Sequence, residues 1–368
     1  MVYSTESAKP KITRKTWIFP LVGLAAFFLY IYIFQVDILS VIATAERADP
    51  VLYGLAVIFS LLEVFFFSVS WRVLAKFLMI KMSVMKSYLL VWYSIFVDTL
   101  VPAESVSGEA LRIYMITREQ GKETCGRTVA SLVTHRLLGM AMNVVVLIIG
   151  MILFFSETQI DPLIFNLIMF LSVGITVVLL LIMLFSFKEK WSLKVINWLV
   201  RAGKFLSRGR WQGRLTKIKE DAANIAKSFH DSMKEFKNNP QALVYSLFYL
   251  VIMWICSLSV PYLVFLSLGQ QVSWGVILIT ATIVLAVKSI PIGVFEVGIP
   301  EITMTTIYTV LLSPTLGPEV AAGISVTVTI LTRLLTLWLR FGIGFVAQQW
   351  LELKTVLAPE SNMPVEKA

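Results

Sequence analysis

Six stretches of this sequence, at about 17–35, 51–71, 126–155, 163–187, 241–268 and 319–347, are apolar over lengths that can cross a bilayer. Hydrocarbon offers no hydrogen bonds, so a spanning backbone must satisfy its own, and long runs without polar alternation do this as α-helices. With 57% of its 368 residues apolar and only 15% charged, the chain leaves no room for a soluble catalytic domain. The expectation is an all-α polytopic membrane protein, with residues 1–350 as one integral membrane domain and 351–368 as a disordered tail. The run from Trp17 follows Lys9, Lys11, Arg14 and Lys15 and is too long for a cleaved signal sequence. It reads as a retained first span.

Two further apolar runs are interrupted. Val84 to Val101 ends at Pro102, turns polar through Glu104, Ser105 and Ser107, and resumes after Gly108 as a helix-like Glu109–Glu119. Val272 to Ile290 breaks at Pro291, Gly293 and Gly298 and resumes to about Leu312. Proline removes a backbone donor and glycine tolerates unusual dihedrals, so these residues shape breaks and do not react. Lys and Arg favour the cytoplasmic side. Arg72, Lys76, Lys81, Lys86, Arg112, Arg118 and Lys122 then bracket the first interrupted run on that side, and it must turn back as a re-entrant hairpin. The loops at 156–162 and 269–273 carry no Lys or Arg, so the second hairpin enters from the opposite face. The reading is about six full transmembrane helices, two oppositely oriented re-entrant hairpins, and pseudo-repeats at about 51–155 and 241–347 with inverted topology. Both termini face the cytoplasm across the cell membrane. Broken helices at matching places in two halves point to a binding site near the midplane.

The formal charge of +9 is local: residues 188–239 hold 13 Lys/Arg against 5 Asp/Glu, an excess of 8. Trp211, Leu215, Ile218, Ala222, Ile225 and Phe229 recur at helical spacing there, which predicts amphipathic cytoplasmic helices lying on an anionic leaflet. Nucleic acid is not the expected partner. Cys125 and Cys256 lack metal-ligand spacing and read as structural. There is no phosphate-cradling GxxxxGK[ST] loop, no HExxH and no nucleophile with a histidine base. Neither an enzyme, a cofactor nor a metal site is expected.

A charge at the bilayer centre costs about 2.5–3.5 kcal/mol on insertion scales, so each deep ionisable residue needs a partner or a use. Arg136 and Arg333 fall roughly 16 and 21 Å into their spans, one per repeat. Glu109 and Arg112 share a helix face; they can pair with each other, or Glu109 can neutralise a deep arginine and leave Arg112 for an anion. Lys288, Glu296 and Glu301 form a similar set in the second hairpin. Backbone N–H groups at the start of each returning half-helix favour phosphate, with Ser105 and Ser107 suited to capping. Glu63 and Asp98 read as polar interhelical contacts, Arg340 as a side chain that snorkels to the cytoplasmic surface, and His135 as a neutral packing residue.

Taken together, Gly108-Glu109-x-x-Arg112 after Pro102, Thr134-His135-Arg136-Leu137-Leu138, and Pro291, Gly293, Gly298 and Glu301 followed by Thr332-Arg333-Leu334-Leu335 resemble the lysylphosphatidylglycerol synthase transmembrane region, a flippase-like family. Gly139 stands where that family's acidic residue is expected. The soluble aminoacyl transferase domain of the full synthases is missing, so synthesis of lysyl-phosphatidylglycerol is not expected of this chain. The resemblance implies a translocase for an anionic phosphate-bearing lipid, either a phospholipid or a polyprenyl-phosphate glycolipid, whose headgroup crosses a midplane cavity. Arg112, Arg136 and Arg333 would hold the phosphate while Glu109, Glu296 and Glu301 neutralise them in the empty state. The alternative is a non-transporting lipid-binding scaffold that recruits a membrane glycosyltransferase or a lipid-modifying enzyme.

Overall fold

The computed structural model describes residues 38–100, 106–157, 170, 174, 231–288 except 233 and 237, and 298–357. The expected spans at 17–35 and 163–187 and most of the basic 188–239 segment lie outside these residues. Among the described residues all regular structure is helical. The helices are α1 (Ile38–Ala45), α2 (Pro50–Phe77), α3 (Val84–Leu100), α4 (Val106–Gln120), α5 (Thr124–Glu157), α6 (Gln241–Ser267), α7 (Trp274–Lys288), α8 (Ile299–Leu316), α9 (Pro318–Arg333) and α10 (Leu339–Leu357), with a π-helical turn at Leu334–Trp338 joining the last two. The four expected spans that fall within the described residues form as continuous helices, Pro50–Phe77, Thr124–Ser156, Gln241–Ser267 and Pro318–Leu351. Helix continues to Leu357, into the segment read as a tail.

Local chemistry accounts for the element ends. Asp49 caps α2, its Oδ1 accepting from the N–H groups of Val51 at 2.8 Å and Leu52 at 3.3 Å, with Pro50 in the first turn where its missing N–H costs nothing. Within the helices, serine and threonine hydroxyls return to the preceding turn, as Ser94 does to the Leu90 carbonyl at 2.7 Å and Thr282 to that of Leu278 at 2.9 Å. This satisfies a polar group without water.

The first interrupted run is a helical hairpin. At its open end Lys86 pairs with Glu119, and the Lys81 N–H donates to Gln120 Oε1 at 3.0 Å while Gln120 Nε2 donates back to the Lys81 carbonyl at 2.7 Å. Near the tip, the Ser94 hydroxyl lies 3.1 Å from the Gly108 carbonyl. The chain therefore returns to the end it left. At 17 and 15 residues, α3 and α4 extend about 25 and 22 Å, short of a hydrocarbon core of about 30 Å. In the second half, α7 and α8 also pack together, with the link between them outside the described residues.

The lead helices α2 and α6 are antiparallel: the Asp49 N–H donates to the Ser267 carbonyl at 2.7 Å at one end, and the hydroxyls of Ser70 and Ser246 meet at 2.8 Å near the other. Each half also lends its hairpin to its partner, because α3 packs along α10 and α7 along α5. Both crossings depend on a missing side chain. A Cβ on Gly344 of α10 would lie 2.6 Å from the Trp92 carbonyl oxygen of α3, and one on Gly150 of α5 would lie 2.7 Å from Leu278 Cβ of α7. Close backbone approach at small residues is how helices gain dispersion contact when lipid removes the hydrophobic incentive. Among the described residues three apolar clusters result, the two larger around Trp71, Leu90, Trp92 and Ile116 and around Phe265, Ile277, Tyr308 and Val328, and a smaller one around Leu74, Leu78, Ala130 and Phe236. Val244, Tyr245, Phe248 and Ile255 of α6 face outward, as apolar side chains do toward lipid.

Candidate functional site: two carboxylate–arginine centres at the hairpin tips

In the first half, Asp98 from the end of α3 reaches across the tip and accepts from the Ser107 hydroxyl at 2.6 Å and the Gly108 N–H at 2.7 Å, both through Oδ1. A carboxylate at that position satisfies an orphan N–H and meets the positive end of the helix dipole. Gly108 is required there, since a Cβ would lie 2.8 Å from both Cβ and the carbonyl oxygen of Ser94 and would also meet Asp98 Oδ2. The next residue, Glu109, turns toward α5, where Arg136 Nη1 lies 3.5 Å from its Oε1 and 3.4 Å from its Oε2. This is a loose pair, with 34% of the Arg136 side chain and 20% of the Glu109 side chain exposed. Glu109 lies about 17 Å from the α4 C-terminus and Arg136 about 18 Å from the α5 N-terminus; those two ends are joined by a short turn, so the residues meet at the same depth.

Arg112, one turn beyond Glu109, is buried. Its guanidinium carbon sits 4.9 Å from the ring centroid of Trp71 on α2, and Trp71 is fixed by its Nε1 donating to the Ser131 hydroxyl at 3.1 Å. Arg112 Nε and Nη1 meet no hydrogen-bond partner among the described residues. Cation–π contact is worth about 2 kcal/mol or more when desolvated, and a buried charged donor left unmade costs more than a neutral one's 1–3 kcal/mol. Two buried donors of this kind suit an acceptor group chemically. His135 lies nearby, buried, its ring edge-to-face with Phe67 at 4.6 Å, and its Nε2 also has no partner among the described residues.

The second half builds the same pairing more tightly. Glu301 in the first turn of α8 accepts from the Gly298 N–H at 2.6 Å through Oε2 and from Arg333 Nε at 2.5 Å through Oε1. Only 8% of the Arg333 side chain and 6% of that of Glu301 are exposed. Gly298 has φ of 100°, a left-handed conformation that glycine enters without penalty. Arg333 is followed at once by the π-helical turn, a local irregularity common at functional sites.

Several expectations are refined by this geometry. Of the two arrangements open to Glu109, the structure has the one with Arg136, leaving Arg112 without a carboxylate hydrogen bond among the described residues. At the half-helix N-termini, Asp98 takes the Gly108 N–H and Glu301 takes the Gly298 N–H. Ser107 donates to Asp98 and does not itself cap. Arg340 does not snorkel; it pairs with Glu63 and its Nη2 donates to the Ser60 hydroxyl at 3.2 Å, because an acid on the facing helix gives the charge a nearer partner than the surface. Lys288 is the last residue of α7. Pro102, Ser105, Pro291, Gly293 and Glu296 lie outside the described residues. The sequence reading missed Trp71 as the platform for Arg112, and its one available signal was an indole inside an otherwise aliphatic and phenylalanine-rich run.

Comparison with known proteins agrees with this architecture. The family model described as lysylphosphatidylglycerol synthase TM region matches residues 19–344. A UPF0104 membrane protein of Pyrococcus horikoshii is 25% identical over 294 residues, covering 80% of this chain and 85% of the relative. The matched range contains both hairpins and both carboxylate–arginine centres, and the chain belongs to the lysylphosphatidylglycerol synthase TM region family.

Proposed function

We propose that this protein is a lipid translocase that carries an anionic, phosphate-bearing headgroup across the cytoplasmic membrane while the lipid's tails stay in the bilayer. The single observation that carries the reading is Arg112: a buried guanidinium over Trp71, with two donors that no described protein group accepts. A phosphate diester is the acceptor that fits, since it offers two oxygens to a planar fork of N–H donors. The half-exposed Arg136 beside it supplies a second cation and a way in.

The two hairpins serve as re-entrant elements whose tips meet the headgroup from opposite faces, and the paired acids Glu109 and Glu301 hold the arginines while the path is empty. Arg72, Lys76, Lys81, Lys86, Arg118 and Lys122 lie at the helix ends of one side of the bundle, and the positive-inside bias supports a cytoplasmic position for that side. No covalent step is required. An inside-negative potential favours outward movement of an anion by about 2.3 kcal/mol per charge per 100 mV, so an anionic lipid has a driving force without nucleotide hydrolysis.

The test is reconstitution of the purified chain into liposomes holding trace fluorescent phosphatidylglycerol, a short polyprenyl phosphate, or phosphatidylcholine. The proposal expects accelerated exchange of one or both anionic lipids between leaflets and little acceleration of the zwitterion. Equal acceleration of all three, or of none, contradicts it.

A further inference from the structure

We propose that Glu109 takes up one proton as the phosphate group binds, so that headgroup and proton enter the site together. This rests on the phosphate-binding reading above and adds what balances the charge.

The inference comes from counting the groups that face one another at the first tip. Arg112 and Glu109 belong to α4, Arg136 and His135 to the packed α5, and Asp98 to the packed α3; Arg136, Arg112 and Asp98 are the charges that act on Glu109. Among the described residues, two arginines against two carboxylates leave the empty site neutral. A phosphodiester carries one negative charge, and its arrival leaves one unbalanced charge in a site only partly open to water, where the neutral form of a carboxyl group is favoured. A proton from water restores neutrality, and the three candidate acceptors are unequal. Asp98 has its charged form held by the Ser107 hydroxyl and the Gly108 N–H at 2.6 and 2.7 Å, hydrogen bonds that favour the carboxylate. His135 would become a third cation beside Arg112 and Arg136. Glu109 is held only by contacts of 3.4 and 3.5 Å, at the limit of hydrogen bonding, and is partly exposed. When the phosphate draws Arg136 toward itself, Glu109 loses its partner; the proton then adds to a carboxylate oxygen, and the neutral acid can donate to a phosphate oxygen. The second centre lacks this freedom, because Glu301 is clamped between Arg333 and the Gly298 N–H.

The experiment is calorimetric titration of the full chain in detergent with glycerophosphoglycerol and with dihexanoyl phosphatidylglycerol, the same headgroup without and with tails. Each titration is run in two buffers of different ionisation enthalpy, on wild type and on Glu109→Gln. The expected result for wild type is about one proton taken up per headgroup bound, with affinity weakening by up to about tenfold per unit rise in pH. Glu109→Gln, whatever its affinity, takes up none and loses the pH dependence. Binding of the tailed probe alone identifies a lipid ligand and binding of both identifies the headgroup as sufficient; about one proton supports the proposal in either case. Wild-type binding without proton uptake overturns the proposal and leaves the phosphate site standing. Uptake that persists in Glu109→Gln overturns it in favour of His135 or Asp98. Absence of binding by both probes overturns the phosphate site and the coupling with it.

Discussion

Replacing Glu301 by Gln separates the two centres energetically. The substitution keeps the shape of the side chain and an oxygen for the Gly298 N–H, but it leaves Arg333 charged with 8% of its side chain exposed. Breaking a buried pair from one side costs about 3–5 kcal/mol, because the remaining charge loses that carboxylate in a place with little water. The matching change Glu109→Gln removes a pair at 3.4 Å whose partners are 34% and 20% exposed; water and lipid headgroups screen it, and the cost falls to about 1 kcal/mol or less. The two variants should therefore differ by about 2–4 kcal/mol. Denaturant unfolding in detergent, followed by fluorescence of the buried Trp71, Trp92 and Trp254, measures the difference. The double variant Glu301→Gln/Arg333→Met should recover more than half of the Glu301→Gln loss, since it removes the buried charge together with its carboxylate. Equal destabilisation by Glu301→Gln and Glu109→Gln, or a double variant no better than Glu301→Gln, refutes the reasoning.

Other consequences follow from the same contacts. Gly344→Ala and Gly150→Ala each place a methyl within 2.6–2.7 Å of the facing helix and should destabilise by about 1–3 kcal/mol. Gly323→Ala, whose new methyl would meet nothing within 4 Å among the described residues, should instead stabilise by about 0.5–1 kcal/mol; the same unfolding assay checks all three. Trp71→Leu removes the platform beneath Arg112 and should weaken headgroup binding up to about 30-fold, the equivalent of about 2 kcal/mol of cation–π contact, as read by calorimetry. Retention of wild-type affinity would show that Arg112 does not depend on the indole.

The long spans and the two interruptions were legible in the sequence because bilayer thickness sets the length of an apolar run and Pro, Gly and Ser mark its breaks. The pairing of Glu109 with Arg136 was one of two open arrangements, since helical spacing alone put Glu109 equally close to Arg112. What sequence pattern could not give was contact between distant elements. The exchange of hairpins between halves depends on where Gly344 and Gly150 meet Trp92 and Leu278, and glycine is common in membrane helices whether or not it marks a crossing. Asp98 read as an isolated acid because the N–H it caps belongs to a residue ten positions on, across a break whose turn direction the sequence leaves open. Arg340 lies near a helix end, which suggested the surface, but Glu63 on α2 is 277 residues away in the chain, and no local rule relates them.

The central claim is that a phosphate headgroup crosses the membrane through Arg112. Its most direct test is the rate of fluorescent phosphatidylglycerol exchange in proteoliposomes for Arg112→Met against wild type, with equal insertion and equal unfolding midpoints established for both. Methionine fills the space over Trp71 without a charge or a donor. The account predicts a loss of at least about tenfold, the equivalent of one charge-assisted hydrogen bond of about 1.5–3 kcal/mol. Exchange at the wild-type rate by a folded Arg112→Met protein would contradict it.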